Sequence, residues 1–129
     1  MHKGFLKTAF VAGALAVALG AFGAHALKDL VSQRVVLTFE TAVKYQFYHV
    51  FALLFTAILY KDYCNKWLLA AGWFFITGIL LFCGSLYMLC YAQATVQPGY
   101  QWLGPLTPLG GLAFISGWGL MFVAVLKNK

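Results

Sequence analysis

Four long apolar stretches limit what this chain can fold into. They run from Phe5 to Ala24, Val36 to Tyr60, Trp67 to Tyr91 and Pro105 to Leu126. A membrane-spanning helix needs about 20 mostly apolar residues, so each stretch can cross a bilayer. Only helices or closed barrels satisfy the backbone in lipid, and these stretches are too long and continuous for barrel strands. The sequence predicts an all-α membrane protein, one domain over residues 1–129 that forms a four-transmembrane-helix bundle.

The composition excludes an ordinary soluble protein. Hydrophobic residues make up 63% of the chain and charged residues only 9%, whereas soluble domains carry about 25% charged residues. The net charge of +6 comes from lysines and arginines scattered along the chain. Nucleic-acid binding proteins concentrate such residues on one face, so no nucleic acid is expected as a partner. The expected partner is the lipid bilayer.

The first apolar stretch also imitates a secretory signal. Lys3 and Lys7 precede the apolar core, and Ala24-His25-Ala26 matches a cleavage site. Cleavage would leave three spans. We expect the stretch to be retained, because small residues at helical spacing let helices approach closely in lipid. These small residues are Gly13, Ala16, Gly20 and Ala24.

The distribution of basic residues predicts that both termini are cytoplasmic (N-in, C-in), since cytoplasmic loops carry the excess of Lys and Arg. The side with both termini and the second loop carries Lys3, Lys7, Lys61, Lys66, Lys127 and Lys129. The opposite side carries Lys28, Arg34 and Lys44, partly balanced by Asp29 and Glu40.

Two local features of the connections are also predicted. Apolar residues recur through Leu27 to Val35, which favours a short amphipathic helix in the membrane interface between the first two spans. An ordinary solvated connection is the alternative. Ahead of the fourth span, Thr107 is predicted to cap the helix, with Pro108 at its first position.

Polar residues in and beside the second span form the candidate functional cluster. Ionisable groups are costly inside a membrane and mark functional or packing positions. Steps of 100° per residue place Gln46 and His49 on one helix face and Glu40 on the opposite face. We expect the cluster between the first two helices, toward the outer leaflet. Its candidate members are His25, Glu40, Tyr45, Gln46 and His49.

Each ionisable candidate has a structural and a functional interpretation. His49 is either a neutral residue that joins helices by hydrogen bonds or a proton relay or ligand contact. Glu40 either pairs with Lys44 four residues later or takes a proton or a cation. Haem ligation by His25 and His49 is not expected, because the helical rise separates them by about 15 Å in depth. No metal and no cofactor are expected.

The remaining distinctive residues are predicted to serve helix packing. Cys64, Cys83 and Cys90 have no metal or disulfide spacing and are interpreted as small apolar packing residues. The predicted packing positions are Gly20, Gly23, Gly84, Ser85, Pro108, Gly110 and Gly111.

Four ordered motifs are similar to a known family. They are GAFGAHALK (20–28), FETAVKYQFYH (39–49), GILLFCGSLY (78–87) and TPLGGLAFISGW (107–118). The chain resembles the domain of unknown function 423 family, the YgdD/YwdK-like membrane proteins, over nearly its whole length. The resemblance implies a small membrane protein that keeps its first span and lies in the bacterial inner membrane. It implies no reaction. The matching positions are Gly20, Gly23, His25, Glu40, Tyr45, Gln46, His49, Gly84, Ser85, Tyr87, Thr107, Pro108, Gly110 and Gly111.

Three functions stay open at this point. The sequence has no Walker-type loop, nucleophile elbow or Cys/His array, which favours a protein that is not an enzyme. The first hypothesis is an accessory or structural membrane component that packs as a homo-oligomer or in a larger membrane complex. The second is a small transporter or proton-handling protein that uses the polar cluster. The third is a lipid or quinone binding protein.

Overall fold

Four helical segments cross the length of the molecule, in agreement with the predicted all-α bundle. The computed structural model describes residues 1–128. The third span consists of two helices joined by a π-helical turn, Ile79–Cys83. The sequence did not predict this turn. Four segments are long and apolar enough to span a membrane: Lys3–Asp29, Gln33–Leu59, Lys66–Ala94 and Gln101–Leu126. The helices are α1 (Lys3–His25), α2 (Gln33–Leu59), α3 (Lys66–Gly78), α4 (Gly84–Ala94) and α5 (Leu106–Leu126).

The connection between α1 and α2 differs from the predicted amphipathic helix. A single 3₁₀ turn, Leu27–Asp29, follows α1, and Ser32 is extended before α2 begins. The reason is burial, because Leu27 packs in a cluster with Phe39 and Cys90. This contact holds the connection against the bundle, so no separate helix lies along the membrane surface.

The start of α5 also differs from the predicted cap. The helix begins at Leu106, and Pro105 precedes it without a side-chain cap. The Thr107 hydroxyl lies 2.6 Å from the Ser85 hydroxyl. Thr107 therefore joins α5 to α4 and does not cap its own helix.

The third span changes its packing partner along its length. α3 packs mainly against α5, whereas α4 packs mainly against α2, and the π turn contacts both. A π turn contains more residues per turn than an α-helix, so it changes the helix face presented beyond it. The change of partner therefore coincides with the π turn.

The contact between α3 and α5 is a reciprocal exchange of aromatic rings and glycines. The Phe75 ring of α3 covers Gly117 of α5, and the Phe114 ring of α5 covers Gly78 of α3. Each pair of residues is spaced Phe-x-x-Gly, and the helices run antiparallel. A glycine has no Cβ, so the facing ring can lie directly on the helix backbone.

The predicted packing glycines fall into two groups. Gly110 lies against the Phe82 backbone, Gly23 lies under the Phe39 ring, and a Cβ at Gly20 would lie 3.3 Å from Val43. The prediction that Gly84 packs against another helix is wrong, since a Cβ there would meet nothing within 4 Å. A Cβ at Gly111 would approach only one Phe82 atom, at 4.0 Å. Among the other predicted positions, Ser85 is buried and Pro108 is exposed in the first turn of α5.

Two polar side chains fix helix ends on the side of the termini. The His2 Nδ1 atom accepts a hydrogen bond from the Phe5 amide at 3.1 Å and so caps α1. The Asn65 Oδ1 atom accepts from the first amides of α3, and its Nδ2 donates to the Ala124 carbonyl of α5 at 3.0 Å. Asn65 therefore both caps α3 and holds it to the end of α5.

The cysteines provide a test of the predicted orientation. Cys64 is exposed in the loop between α2 and α3, whereas Cys83 and Cys90 are buried. If this loop is cytoplasmic, a membrane-impermeant maleimide will label Cys64 only after right-side-out spheroplasts are permeabilised. In a Cys64→Ala background, Ser32→Cys in the opposite loop should be labelled from outside. Labelling of Cys64 in intact spheroplasts would reverse the assigned orientation.

Candidate functional site

Gln46 lies at the centre of the bundle and connects three spans. Its side chain is 4% exposed. The Nε2 atom donates to the Ala12 carbonyl of α1 at 2.8 Å, and the Oε1 atom accepts from the Tyr87 hydroxyl of α4 at 2.7 Å. A backbone carbonyl can only accept, so this contact fixes the orientation of the carboxamide. One side chain thus joins α1, α2 and the third span.

His49 connects α2 to the fourth span, and its partners determine its tautomer. The Trp118 indole of α5 donates to the His49 Nε2 atom at 3.2 Å. Indole nitrogen is only a donor, so Nε2 must carry the lone pair. The proton of the neutral imidazole is then on Nδ1, which donates to the Tyr45 carbonyl at 2.8 Å. Both ring nitrogens therefore have partners when the imidazole is neutral.

The surroundings of His49 are aromatic. The imidazole stacks on the Phe114 ring with centroids 3.5 Å apart and planes at 9°. Phe75 and Trp118 lie near it, at 5.8 and 6.1 Å between centroids, and His49 is 5% exposed. A proton added at Nε2 would face the indole N–H, so it would break the bond to Trp118.

The other three candidates lie outside this hydrogen-bonded centre. Tyr45 contributes its backbone carbonyl, while its ring is 38% exposed and lies against Phe82. Glu40 and Lys44 are both exposed, and no ion pair within 4.0 Å joins them in residues 1–128. The predicted ion pair is therefore corrected: with both side chains exposed, neither is held against the other.

His25 is exposed at the end of α1, about 20 Å by helical rise from the Ala12 carbonyl that Gln46 contacts. The candidate residues therefore do not form one cluster between the first two helices, as the sequence predicted. Gln46 contacts α1 and α4, whereas His49 contacts α5. The two residues share a helix face, but their side chains point to different neighbours.

Two hydrogen-bond partners, Tyr87 of Gln46 and Trp118 of His49, are not members of the predicted polar cluster, although Tyr87 is one of the positions that match the family. Tyr87 and Trp118 each carry one polar group on an apolar ring, and such groups find a hydrogen-bond partner when they lie inside a protein. Their positions within the third and fourth apolar stretches were the available signal. The sequence could not show which buried acceptor each would reach.

The interior of the described chain is neutral and fully paired. Among residues 1–128, the buried polar side chains are Gln46, His49, Thr56 and Ser85, with no buried Asp, Glu, Lys or Arg. Every buried side-chain nitrogen or oxygen in that range has a hydrogen-bond partner. No group of three His, Cys, Asp or Glu side chains in that range could hold a metal ion. The arrangement can hold helices together by neutral hydrogen bonds.

Comparison with known proteins assigns the chain to a family. The family model described as "Protein of unknown function (DUF423)" matches residues 19–111. The UPF0382 membrane protein YwdK of Bacillus subtilis is 38% identical, with 97% of this chain and 98% of YwdK covered. The UPF0382 inner membrane protein YgdD of Escherichia coli K12 is 34% identical, with 94% and 88% covered. No solved structure matches the chain.

These relatives and the four spans place the protein in the class of multi-pass proteins of the bacterial inner (plasma) membrane. The chain therefore belongs to the DUF423 family of integral membrane proteins, whose biochemical function is unknown.

Proposed function

We propose that this protein is a non-enzymatic accessory or structural component of the membrane, which packs against a second copy or a larger complex. The observation that carries the proposal is the use of both central polar side chains to hold spans together. Gln46 joins α1 and α4 to α2, and His49 joins α5 to α2.

The hydrogen bonds that Gln46 and His49 already make favour this role over proton handling. Interhelical hydrogen bonds in membranes contribute about 0.6 kcal/mol on average and about 1–2 kcal/mol in the best cases. Three such bonds meet on two side chains that lie one helical turn apart, so they can define how the spans fit together. A proton relay needs an open acceptor, and the His49 Nε2 lone pair is already occupied by Trp118.

The outer face of α5 supports packing against a partner. Leu112, Ile115 and Phe122 are exposed on this helix together with Gly119. Their spacing places them along one face, and Gly119 has no neighbouring atom within 4 Å of where its Cβ would be. A glycine in such a face lets another membrane helix approach closely.

Two measurements test the proposal. In proteoliposomes with an internal pH dye, the wild type should give no proton flux above that of protein-free liposomes. After gentle purification at native expression level, crosslinking should recover an oligomer or a stable partner. A flux that His49→Ala abolishes while the protein stays folded would show a proton-handling protein. A strictly monomeric protein without partners would also contradict the proposal.

A further inference from the structure

An apolar groove separates α1 from the third span on the bilayer side of the molecule. Its volume is about 290 Å³. Leu15 of α1 and Leu80 of the third span form its two walls and are 53% and 69% exposed, so the groove opens to lipid. Gln46 and Tyr87 line it at its inner end. The groove therefore leads from the bilayer to the polar centre of the bundle.

Two features of the third span keep the groove open. The π turn Ile79–Cys83 supplies part of the wall, and such turns are found frequently at functional sites. Gly84 also lines the groove, and a Cβ there would meet nothing within 4 Å. A second cavity of about 310 Å³ lies beside it and shares the lining residues Leu19 and Tyr87. Each cavity is at the lower end of the size range of small-molecule sites.

The inner end of the groove has unused hydrogen-bonding capacity. A carboxamide nitrogen carries two protons, and a phenol oxygen can accept as well as donate. In residues 1–128, the Gln46 Nε2 atom donates only to the Ala12 carbonyl, and the Tyr87 hydroxyl only donates to Gln46. One N–H of Gln46 and one acceptor position on the Tyr87 hydroxyl are thus unused by the protein, and both residues line the groove.

The depth of Gln46 discriminates between membrane ligands. It is the middle residue of α2, about 20 Å from either helix end. The hydrocarbon core is about 30 Å thick, so the ester carbonyls of phospholipids lie about 15 Å from its centre. A phospholipid can reach Gln46 only with a hydrocarbon chain, which has no acceptor. A quinone ring is soluble in the core and carries carbonyl oxygens.

We propose that this groove binds an isoprenoid quinone, with one ring carbonyl accepting the free N–H of Gln46. The isoprenoid chain leaves the ring through the open side of the groove, between the exposed side chains of Leu15 and Leu80. This ligand site goes beyond the structural role proposed above and does not depend on it. Binding alone is inferred, without any transfer of electrons.

The test is a binding titration of the full-length protein in lipid nanodiscs with decylubiquinone as the probe. Bound quinone is separated with the nanodiscs and quantified by its ultraviolet absorbance. We expect saturable binding of one quinone per chain. Gly84→Leu should weaken it at least about tenfold, because Gly84 lines the groove and the first atom of the new side chain enters open space there. Ala14→Leu is the control, since it enlarges an exposed side chain of α1 that lines neither cavity, and it should leave binding unchanged.

A second experiment tests the hydrogen bond from Gln46 to the quinone carbonyl oxygen. The benzene that carries the same decyl, methyl and two methoxy groups as decylubiquinone lacks only the carbonyl oxygens, and it should compete roughly three- to tenfold more weakly, the effect of one lost hydrogen bond. If Gly84→Leu does not fold, Leu15→Trp fills the same groove from α1. Unchanged binding in the folded groove variant, equal competition by the substituted benzene, or retention of phospholipid without quinone would each overturn the proposal.

Discussion

Gly110→Ala should destabilise the bundle more than any other addition of one methyl group to the glycines described above. The added Cβ would lie within 2.7 Å of the Phe82 Cα atom and equally close to its side chain. The nearest Phe82 atoms are its backbone N and Cα and its Cβ, and rotation of the side chain moves none of them. Phe82 lies in the π turn. Overpacking of this kind costs about 1–3 kcal/mol. The measurement is reversible unfolding in mixtures of dodecyl sulfate and a mild detergent.

Gly84→Ala is the matched control for this change. It adds the same methyl group to the third span, two residues beyond Phe82, but into the open groove between that span and α1. Gly84 already has helical backbone angles, with φ −59° and ψ −44°. Alanine favours the helix over glycine by up to about 1 kcal/mol, so this variant should be unchanged or slightly more stable. Equal destabilisation by the two variants would show that the Gly110 contact is not what limits the packing.

Gln46→Leu should lower the free energy of unfolding by about 1–2 kcal/mol. The change removes the bonds to Ala12 and Tyr87 and leaves the Tyr87 hydroxyl without its acceptor inside the bundle. Interhelical hydrogen bonds in membranes reach about 1.7 kcal/mol, and leaving a buried polar group unpaired costs about 1–3 kcal/mol. The same unfolding assay measures the loss.

The double variant Gln46→Leu/Tyr87→Phe separates these two contributions. It removes the unpaired hydroxyl together with its acceptor, so it should be more stable than Gln46→Leu alone. Glu40→Gln, on the exposed opposite face of α2, should stay within about 0.5 kcal/mol of the wild type. If the double variant loses the sum of both single effects, the Gln46 and Tyr87 side chains do not act on each other.

The spans were predictable because they depend on local composition. The stretch from Val36 to Tyr60 corresponds to α2 at Gln33–Leu59, and Phe5 to Ala24 lies inside α1. The energy of transferring side chains into lipid depends on each segment alone, so apolar length is sufficient to locate the segments. Helix ends differ by a few residues because caps such as His2 and contacts such as that of Leu27 depend on the folded chain.

The site was only partly predictable, because its partners come from distant segments. The 100° helical step correctly placed Gln46 and His49 on the buried face of α2. It could not show that Gln46 meets Tyr87 while His49 meets Trp118, since both depend on how the third and fourth spans turn. Likewise, Gly84 and Gly110 are the same residue type in similar apolar surroundings. Only the tertiary packing makes one open and the other crowded.

The π turn has a consequence for comparing relatives. A π turn closes its hydrogen bonds one residue further along the chain than an α-helix, so it equals a one-residue insertion into a continuous helix. Losing one residue between Ile79 and Cys83 would restore a regular helix and leave Phe75 and Tyr87 facing their present neighbours. A single-residue gap at this point of an alignment would thus record whether a relative has the turn. It would mark, from sequence alone, which relatives keep this wall of the groove.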